Sequence, residues 1–485
     1  MLAETRLLER LTASDIFLLL WDDYGWSTDI GGLAIVDGTR LLDGDGRVRI
    51  EEVRRKLEPR LHQIPRFRQL LFRPRPGLGW PLWVDAPSFD IAAHVRVHQI
   101  SAPGEEAQLL QACQEVARHR LDPARPLWEL WLLPGLPEHR VGLYFRLHHA
   151  FADGAAALAA FGALLDLNAD ATTPCAPPWT PAPIPTGGEL LGDNLRRRRR
   201  ELARGWWGLI HPRSTVRSAR RAWPAWREVL AERPAPRTSL NRPVGTHRRL
   251  AIIRGDLDLT KQVAHAHHAK VNDVVLAAVA GGLRQLLQGR GEPAEQLALR
   301  AWVLISLHQE QPGQASGNQD SGMAVPLPLG ETDPVRRLQL IASETAVRKT
   351  KARPQVTSGI FRFVVVQRAF FRLLTRQRFM SLPVSNIPGP PVPLYLAGAQ
   401  LLELFPMVSL SGNLTLAVAV LSYAGQLNLT AVADREACPD VEVFAQGVRS
   451  ALDELAQSVL VSADRAGSEV APQTRDAGRE RLAPA

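Results

Sequence analysis

The chain has 485 residues, of which 45% are hydrophobic and 22% charged, a composition typical of globular proteins, and its formal net charge is +9. Its length predicts two domains of roughly 150–220 residues, because single hydrophobic cores rarely grow larger. The sequence contains no run of about 18 apolar residues, no secretory signal and no paired cysteine framework. These features predict a cytoplasmic protein without a membrane-spanning helix.

The first folded block, predicted over residues 1–170, carries its strongest signal near its end. Residues 141–147 alternate between apolar and polar or small side chains, which predicts a half-buried β-strand. The strand leads into the segment His148–Gly154, with the sequence HHAFADG, and the alanine-rich run that follows predicts a tightly packed helix. Two histidines therefore stand at a strand end, followed by an aspartate and by a glycine that opens a helix.

This arrangement favours acid–base chemistry. A neutral imidazole titrates near pH 6.5 and can accept a proton from a hydroxyl group. One alternative is a pair of structural histidines at a strand edge. Another is a metal site in which His149 and Asp153 share a helix face, but the nearest other histidine cluster, at 265–268, lies far along the chain without a cysteine or carboxylate pattern around it. We therefore predict a general base and no metal.

A linker is predicted over residues 171–245. Six prolines between 174 and 185 prevent regular structure, and the stretch 194–237 then holds 13 arginines against three glutamates. Arginine interleaved with tryptophan suits an anionic membrane or lipid-droplet surface. A solvated linker helix is the alternative, and nucleic acid is disfavoured because no recognition fold accompanies the basic run. The predicted membrane contacts are Arg196, Arg197, Arg198, Arg199, Arg200, Trp206 and Trp207.

A second folded block is predicted over residues 246–463. Within it, the apolar run 250–253 predicts a strand and residues 257–268 predict a helix. The last segment, 464–485, is rich in alanine, arginine, glutamate and proline, which predicts a disordered tail.

Two polar motifs stand out in the second block. Asn272 and Asp273 precede a strong helical run, 274–287, and such residues commonly cap free backbone N–H groups. Capping is the simpler interpretation of Asp273. Residues 385–390, Ser-Asn-Ile-Pro-Gly-Pro, predict a turn-forming loop.

In this order, the motifs resemble the bacterial wax ester synthase/diacylglycerol acyltransferase family, part of the CoA-dependent acyltransferase superfamily marked by His-His-x-x-x-Asp-Gly. The resemblance runs from about Leu11 to about Val461. Its landmarks before the motif are PLWVD at 81–85, LD at 121–122 and RPLWE at 125–129. Those after it are VNDVVLA at 271–277, GN at 317–318, VSNIPGP at 384–390 and SYAG at 422–425.

The resemblance implies an α+β fold of two chloramphenicol-acetyltransferase-like domains, with mixed sheets flanked by helices and the active site at their interface. It implies transfer of a long-chain acyl group from acyl-CoA, a substrate and not a cofactor, to diacylglycerol or a long-chain alcohol. The protein would work peripherally on the inner face of the plasma membrane or on lipid inclusions. The alternatives are a superfamily acyltransferase for another acceptor, of polyketide or condensation type, and a catalytically weakened lipid-surface binding protein.

The resemblance also implies the site residues, with His149 as the general base. The catalytic loop comprises His148, His149, Asp153 and Gly154, and the supporting residues are Asn272, Asp273, Ser306 and His308. The substrate tunnel is expected to involve Trp128, Asn318, Ser385, Asn386, Pro388 and Gly389. One departure from the family concerns the partner of the motif aspartate, since His308 stands where an arginine is usual. A histidine can pair with Asp153 only when it is protonated.

Overall fold

The protein folds around two mixed six-stranded sheets with helices packed against each. The computed structural model describes residues 8–172, 175–210, 234–306, 320–351 and 375–469. In spatial order, the first sheet contains β11 (Tyr395–Leu396), β12 (Ala399–Met407), β1 (Asp29–Asp37), β6 (Arg140–His148), β5 (Trp128–Pro134) and β4 (Val95–Val97). The second contains β7 (Arg248–Asp256), β14 (Gln426–Asp434), β13 (Leu416–Tyr423), β10 (Leu382–Ile387), β8 (Ala298–Ser306) and β9 (Asp320–Pro328). A separate hairpin pairs β2 (Gln69–Phe72) with β3 (Leu82–Asp85).

The helices complete this α+β architecture. Those of the described residues are α1 (Ala13–Asp23), α2 (Ile50–Leu57), α3 (Glu106–Arg118), α4 (Gly154–Gly162), α5 (Gly187–Ile210), α6 (Leu257–Ala266), α7 (Val271–Gly289), α8 (Pro334–Lys351) and α9 (Val441–Glu469). Helix α7 is the apolar run predicted at 274–287, and every residue from Val274 to Ala280 is buried, as expected for a helix that is hydrophobic all round. Within the described residues, no helix combines the length and apolar character needed to cross a membrane.

The first sheet contains two strands from the C-terminal half of the chain. Strand β12 pairs with β1 in antiparallel register, with Ala34 opposite Leu404, so the segment 395–407 completes the first sheet. The sequence prediction of one C-terminal domain over 246–463 did not anticipate this pairing. A strand pattern reports which faces are buried and does not identify the neighbouring strand.

Strand β6, which leads to the histidine motif, is buried on both faces. The prediction of a half-buried strand at 141–147 was therefore wrong. One face, with Phe145 and Leu147, packs into the main core of the first domain, as predicted. On the other face Tyr144 packs against α3, and Arg146 is buried in an ion cluster. The polar residues of this face are thus covered by neighbouring elements and do not face water.

Candidate active site

His148 is the last residue of β6, and both of its ring nitrogens form hydrogen bonds. Nδ1 accepts the backbone N–H of Ala150 at 2.9 Å, so Nε2 carries the proton. Nε2 donates to the carboxylate of Asp22, near the end of α1, and lies 2.9 Å from the hydroxyl oxygen of Thr28. Because the ring is also buried, these contacts fix it in one orientation. His148 therefore supports the turn.

His149 has a different environment. Its side chain is half-buried, and its Nδ1 atom is enclosed without a hydrogen-bond partner in the described part of the chain. Burial lowers the pKa of His149 because it disfavours the imidazolium form, and His148 acts in the same direction. The backbone carbonyl of His149 opposes this shift more than His148 supports it, and Asp153 and Asp15 oppose it more weakly. At neutral pH the ring is therefore uncharged and can accept a proton.

Asp153 and Gly154 form the start of the motif helix. Asp153 is the N-cap of α4, and its carboxylate accepts the backbone N–H of Ala156 at 2.8 Å. Its expected partner, His308, lies outside the described residues. A Cβ atom at Gly154 would lie 2.7 Å from the Cδ1 atom of Ile387, whereas the backbone is not in the left-handed region. Close packing therefore explains this glycine.

The second domain reaches the motif through the end of β10. Ile387 is the last residue of that strand, and the side-chain amide of the preceding Asn386 donates to the amide oxygen of Asn272 at 3.3 Å. Asn272 lies in the first turn of α7. A continuous set of contacts thus runs from Gly154 through the end of β10 to the start of α7, and it brings the predicted motifs of both domains together.

The loop predicted at 385–390 needs a correction. Ser385, Asn386 and Ile387 belong to β10 and pair in parallel with β13. Only the Pro-Gly-Pro part lies beyond the strand, because Pro388 cannot continue the ladder. Gly389 approaches the backbone closely, since a Cβ atom there would lie 2.1 Å from the carbonyl oxygen of Ser422.

Both carboxylate oxygens of Asp273 form hydrogen bonds within the second domain. One carboxylate oxygen accepts the backbone N–H of Lys270 at 2.9 Å, and the other accepts the hydroxyl of Thr345 at 2.7 Å. The side chain is buried. Both oxygens are used to cap α7 and to hold α8, which supports the capping interpretation.

The remaining predicted residues lie in several places. Trp128 is buried in the first core, donates its indole N–H to the carbonyl of Phe67 at 2.9 Å and stacks on His94, with 4.7 Å between ring centroids. Pro388 is exposed. Ser306 ends β8, but its side chain, like all of His308 and Asn318, lies outside the described part.

Two groups near the histidines were not predicted from the sequence. The first is the pair Asp22 and Thr28, which holds His148. The second is a buried ion cluster in which Arg146 contacts Glu129 at 2.7 Å and Asp29 at 3.2 Å. Glu129 and Arg146 are directly opposite on β5 and β6. Opposite charges on two adjacent strands can indicate an ion pair, but only when the register between the two strands is known.

The basic stretch begins in α5. The predicted contacts Arg196 to Arg200 are all exposed along this helix. Trp206 and Trp207 also lie in α5, and their side chains are outside the described part. The same part of the chain holds no group of three or more histidine, cysteine or acidic residues suited to a metal ion.

Comparison with known proteins decides the family. The model of the wax ester synthase/diacylglycerol acyltransferase catalytic domain matches residues 11–275, and that of the family's C-terminal domain matches residues 316–456. The chain belongs to this family. A putative diacylglycerol O-acyltransferase of Mycobacterium tuberculosis strain H37Rv is 31% identical over 471 residues, or 92% of this chain and 97% of that protein. A probable diacylglycerol O-acyltransferase of the same strain is 31% identical over 447 residues, or 88% and 91%.

Solved structures confirm the predicted fold. The wax ester synthase/diacylglycerol acyltransferase of Marinobacter aquaeolei VT8 matches with a TM-score of 0.66 and 24% identity, covering 93% of this chain and 99% of that one. The starter condensation domain of rhizomide synthetase matches with a TM-score of 0.58 and 15% identity, covering 93% and 95%. The two sheets therefore correspond to the paired domains of the chloramphenicol-acetyltransferase-like fold.

Proposed function

We propose that this family member transfers a long-chain acyl group from acyl-CoA to the hydroxyl of diacylglycerol or of a long-chain alcohol, with His149 as the general base. The family and the two mycobacterial relatives support the reaction. The role of His149 rests on one contrast between neighbouring side chains. His148 is bonded through both ring nitrogens, whereas His149 has a lowered pKa and an enclosed Nδ1 atom without a partner in the described part.

The reaction needs one proton acceptor and no covalent enzyme intermediate. Nε2 of His149 accepts the proton of the acceptor hydroxyl, because Nδ1 is enclosed. The oxygen then attacks the thioester carbonyl carbon and forms the new C–O bond. When the C–S bond breaks, the imidazolium returns its proton to the departing CoA thiolate. General-base action of this kind contributes roughly 10²–10⁴-fold to a rate.

An acceptor-competition experiment tests this proposal. The full chain is incubated with a labelled long-chain acyl-CoA, first with diacylglycerol or a long-chain alcohol alone and then with both. We expect labelled triacylglycerol, wax ester or both, and the competition ratio gives the preferred acceptor. Release of labelled fatty acid without either ester, under conditions in which a family relative is active, would contradict the proposed transfer.

We further propose that α5 attaches the protein to an anionic lipid surface, either the inner face of the plasma membrane or a lipid inclusion. The first turns of α5 are fixed to the first domain, since Leu190 is buried and Asp193 binds Arg10 at 2.5 Å. The helix then projects three exposed leucines, Leu191, Leu195 and Leu202, with exposed fractions of 44%, 50% and 63%.

Their spacing puts these leucines on one face of α5, and the five exposed arginines lie around the same turns. An apolar face bordered by arginine is the pattern of a helix that lies in a lipid interface. The partner that suits both features is therefore a lipid surface with acidic headgroups, and not a soluble acidic protein.

Vesicle sedimentation tests the attachment. We expect strong binding to vesicles rich in phosphatidylglycerol at low salt, with partial release as ionic strength rises. Replacing Arg196 to Arg200 with Gln should remove the salt-sensitive part, and a Leu195→Ser/Leu202→Ser variant should remove the salt-resistant part. The Leu340→Ser variant provides an exposed-leucine control on α8. Unchanged binding in both α5 variants would contradict the proposal.

A further inference from the structure

A second polar site lies next to the catalytic motif. A cleft of about 990 Å³ opens between the end of α3, the edge of the first sheet and the residues that lead into β7. Its walls carry five arginines, Arg96, Arg118, Arg120, Arg125 and Arg146. We call this site the arginine cleft. It also contains three carboxylates and three histidines, so its formal charge is +2 with neutral histidines.

The carboxylates of the arginine cleft are already engaged. Glu129 is bound to the buried Arg146 at 2.7 Å, and Glu115 lies 3.4 Å from a ring nitrogen of His98. Asp122 contacts Arg125 at 3.3 Å, and that pair is half exposed.

The arginines retain donor capacity. The side chain of Arg118, in the last turn of α3, forms no hydrogen bond or ion pair within the described part of the chain and is exposed. A guanidinium group has five N–H donors, so Arg118 and Arg125 can both bind an anion that enters the cleft.

The arginine cleft is connected to the histidine motif by short contacts. Arg120 donates to the backbone carbonyl of Asp22 at 3.1 Å, and the carboxylate of the same Asp22 holds His148. On the other side, Arg146 binds Asp29, which is paired with His148 across β1 and β6. His149 does not line the cleft. A ligand held there would thus reach the base only through an extended arm.

We propose that the arginine cleft binds the phosphorylated nucleotide end of the acyl-CoA. This inference rests on the proposed function, which requires acyl-CoA as donor. CoA carries a diphosphate and a 3′-phosphate at one end and the thioester at the other, joined by the pantetheine arm. Arginine binds phosphate oxygens bidentately, and the cleft has the volume of a ligand site, which is typically about 300–1,000 Å³. The phosphates would lie among the arginines while the arm directs the thioester toward His149.

Calorimetric titration of the full chain with CoA and with adenosine 3′,5′-bisphosphate tests the cleft independently of turnover. We expect Arg118→Gln and Arg125→Gln each to weaken binding of both ligands about 3- to 10-fold, as for loss of one hydrogen bond of ordinary strength. Binding should also depend less on salt in these variants. The KM for acyl-CoA should rise more than kcat falls. Arg47→Gln is the matched control, since the side chain of Arg47 is 81% exposed and lies outside the cleft.

The possible outcomes separate the cleft from the reaction. Unchanged affinity for both ligands in folded Arg118→Gln and Arg125→Gln proteins overturns the inference and leaves the acyl transfer standing. If these variants instead lose binding to phosphatidylglycerol vesicles while CoA affinity is retained, the cleft takes a lipid phosphate, and the CoA assignment is wrong. Arginine-dependent CoA binding without transfer to either acceptor supports the cleft and contradicts the proposed function.

Discussion

The two sides of the domain interface hold their polar groups in different ways. On the first-domain side, His148 is fixed by a backbone N–H, a carboxylate and a hydroxyl, and Arg146 lies between two carboxylates. On the second-domain side, the amides of Asn386 and Asn272 form one hydrogen bond at 3.3 Å, and Ile387 lies against Gly154 of the motif. Near the motif, the first side therefore holds its polar groups with more hydrogen bonds and ion pairs than the second side does. Substitutions should cost most on the first side.

The largest effect is expected at His149. His149→Ala should lower kcat roughly 10²–10⁴-fold, because the proton of the acceptor hydroxyl then has no base. Steady-state turnover with saturating acyl-CoA measures the loss, and a thermal unfolding midpoint checks the fold. His148→Ala is the control on the adjacent residue and should keep measurable turnover. Full activity of folded His149→Ala would end the general-base proposal.

Asp22 is expected to have the next largest effect. Asp22→Asn keeps the shape but removes the charge that holds Nε2–H of His148, so kcat should fall about tenfold, as for a hydrogen bond to a charged group. The KM for acyl-CoA should change less, because positioning of the turn is what is lost. Asp23→Asn is the matched control, since Asp23 is exposed and its carboxylate pairs only with Arg73, at 3.5 Å, among the described residues. Equal losses in the two variants would refute a specific role for Asp22.

The pH dependence should report the environment of His149. Burial lowers the pKa of His149, so the base stays neutral to lower pH, and the acidic limb of kcat/KM should lie below the usual value of about 6.5. The lowered pKa of His149 also sets the direction in which the free energy of unfolding changes with pH. The unfolded chain binds more protons at His149, so the wild type should lose stability relative to His149→Gln as pH falls from about 7 to 5. An acidic limb above the usual histidine value would contradict this environment.

Smaller effects are expected on the second-domain side, at the amide pair. Asn386→Ala and Asn272→Ala should each lower kcat/KM less than about tenfold, because one neutral hydrogen bond contributes only about 0.5–1.5 kcal/mol. The double variant should lose little more than either single one, since the pair acts as a unit. Strict additivity in this double-mutant cycle would show that the two amides do not act together.

On the side of the histidine motif, many of the elements could be predicted from the sequence. The strand, the motif and the helix after Gly154 are local patterns, and so is α7 with its cap at Asp273. The partners of those residues are not local. Asp22 lies 126 residues before His148, and β12 joins β1 from the far end of the chain. Hydrophobic periodicity indicates which face of an element is buried, but not which element packs against that face. It therefore predicted the helices and strands, whereas the contacts between them are known only from the structure.

The smallest effect should come from the contact between Gly154 and Ile387. A second substitution at Ile387 should reverse it. Gly154 is the first residue of α4, where helix propensity alone would favour alanine. The structure predicts the opposite, because the new Cβ atom would lie 2.7 Å from Cδ1 of Ile387. Because Cδ1 is the free end of the Ile387 side chain and can move aside, Gly154→Ala should destabilise the protein by only about 1 kcal/mol, the lower end for overpacking.

Ile387→Val removes the Cδ1 atom and should cost a similar amount alone, about 0.5–1.5 kcal/mol, through lost packing. In the double variant the added methyl occupies the space that Cδ1 leaves, so the free energy of unfolding should return close to the wild-type value. Chemical denaturation of the four proteins measures this coupling. Stabilisation by Gly154→Ala alone, or additive losses in the double variant, would show that α4 and β10 are not in tight contact at these two residues. Ile387 would then not form a wall of the site.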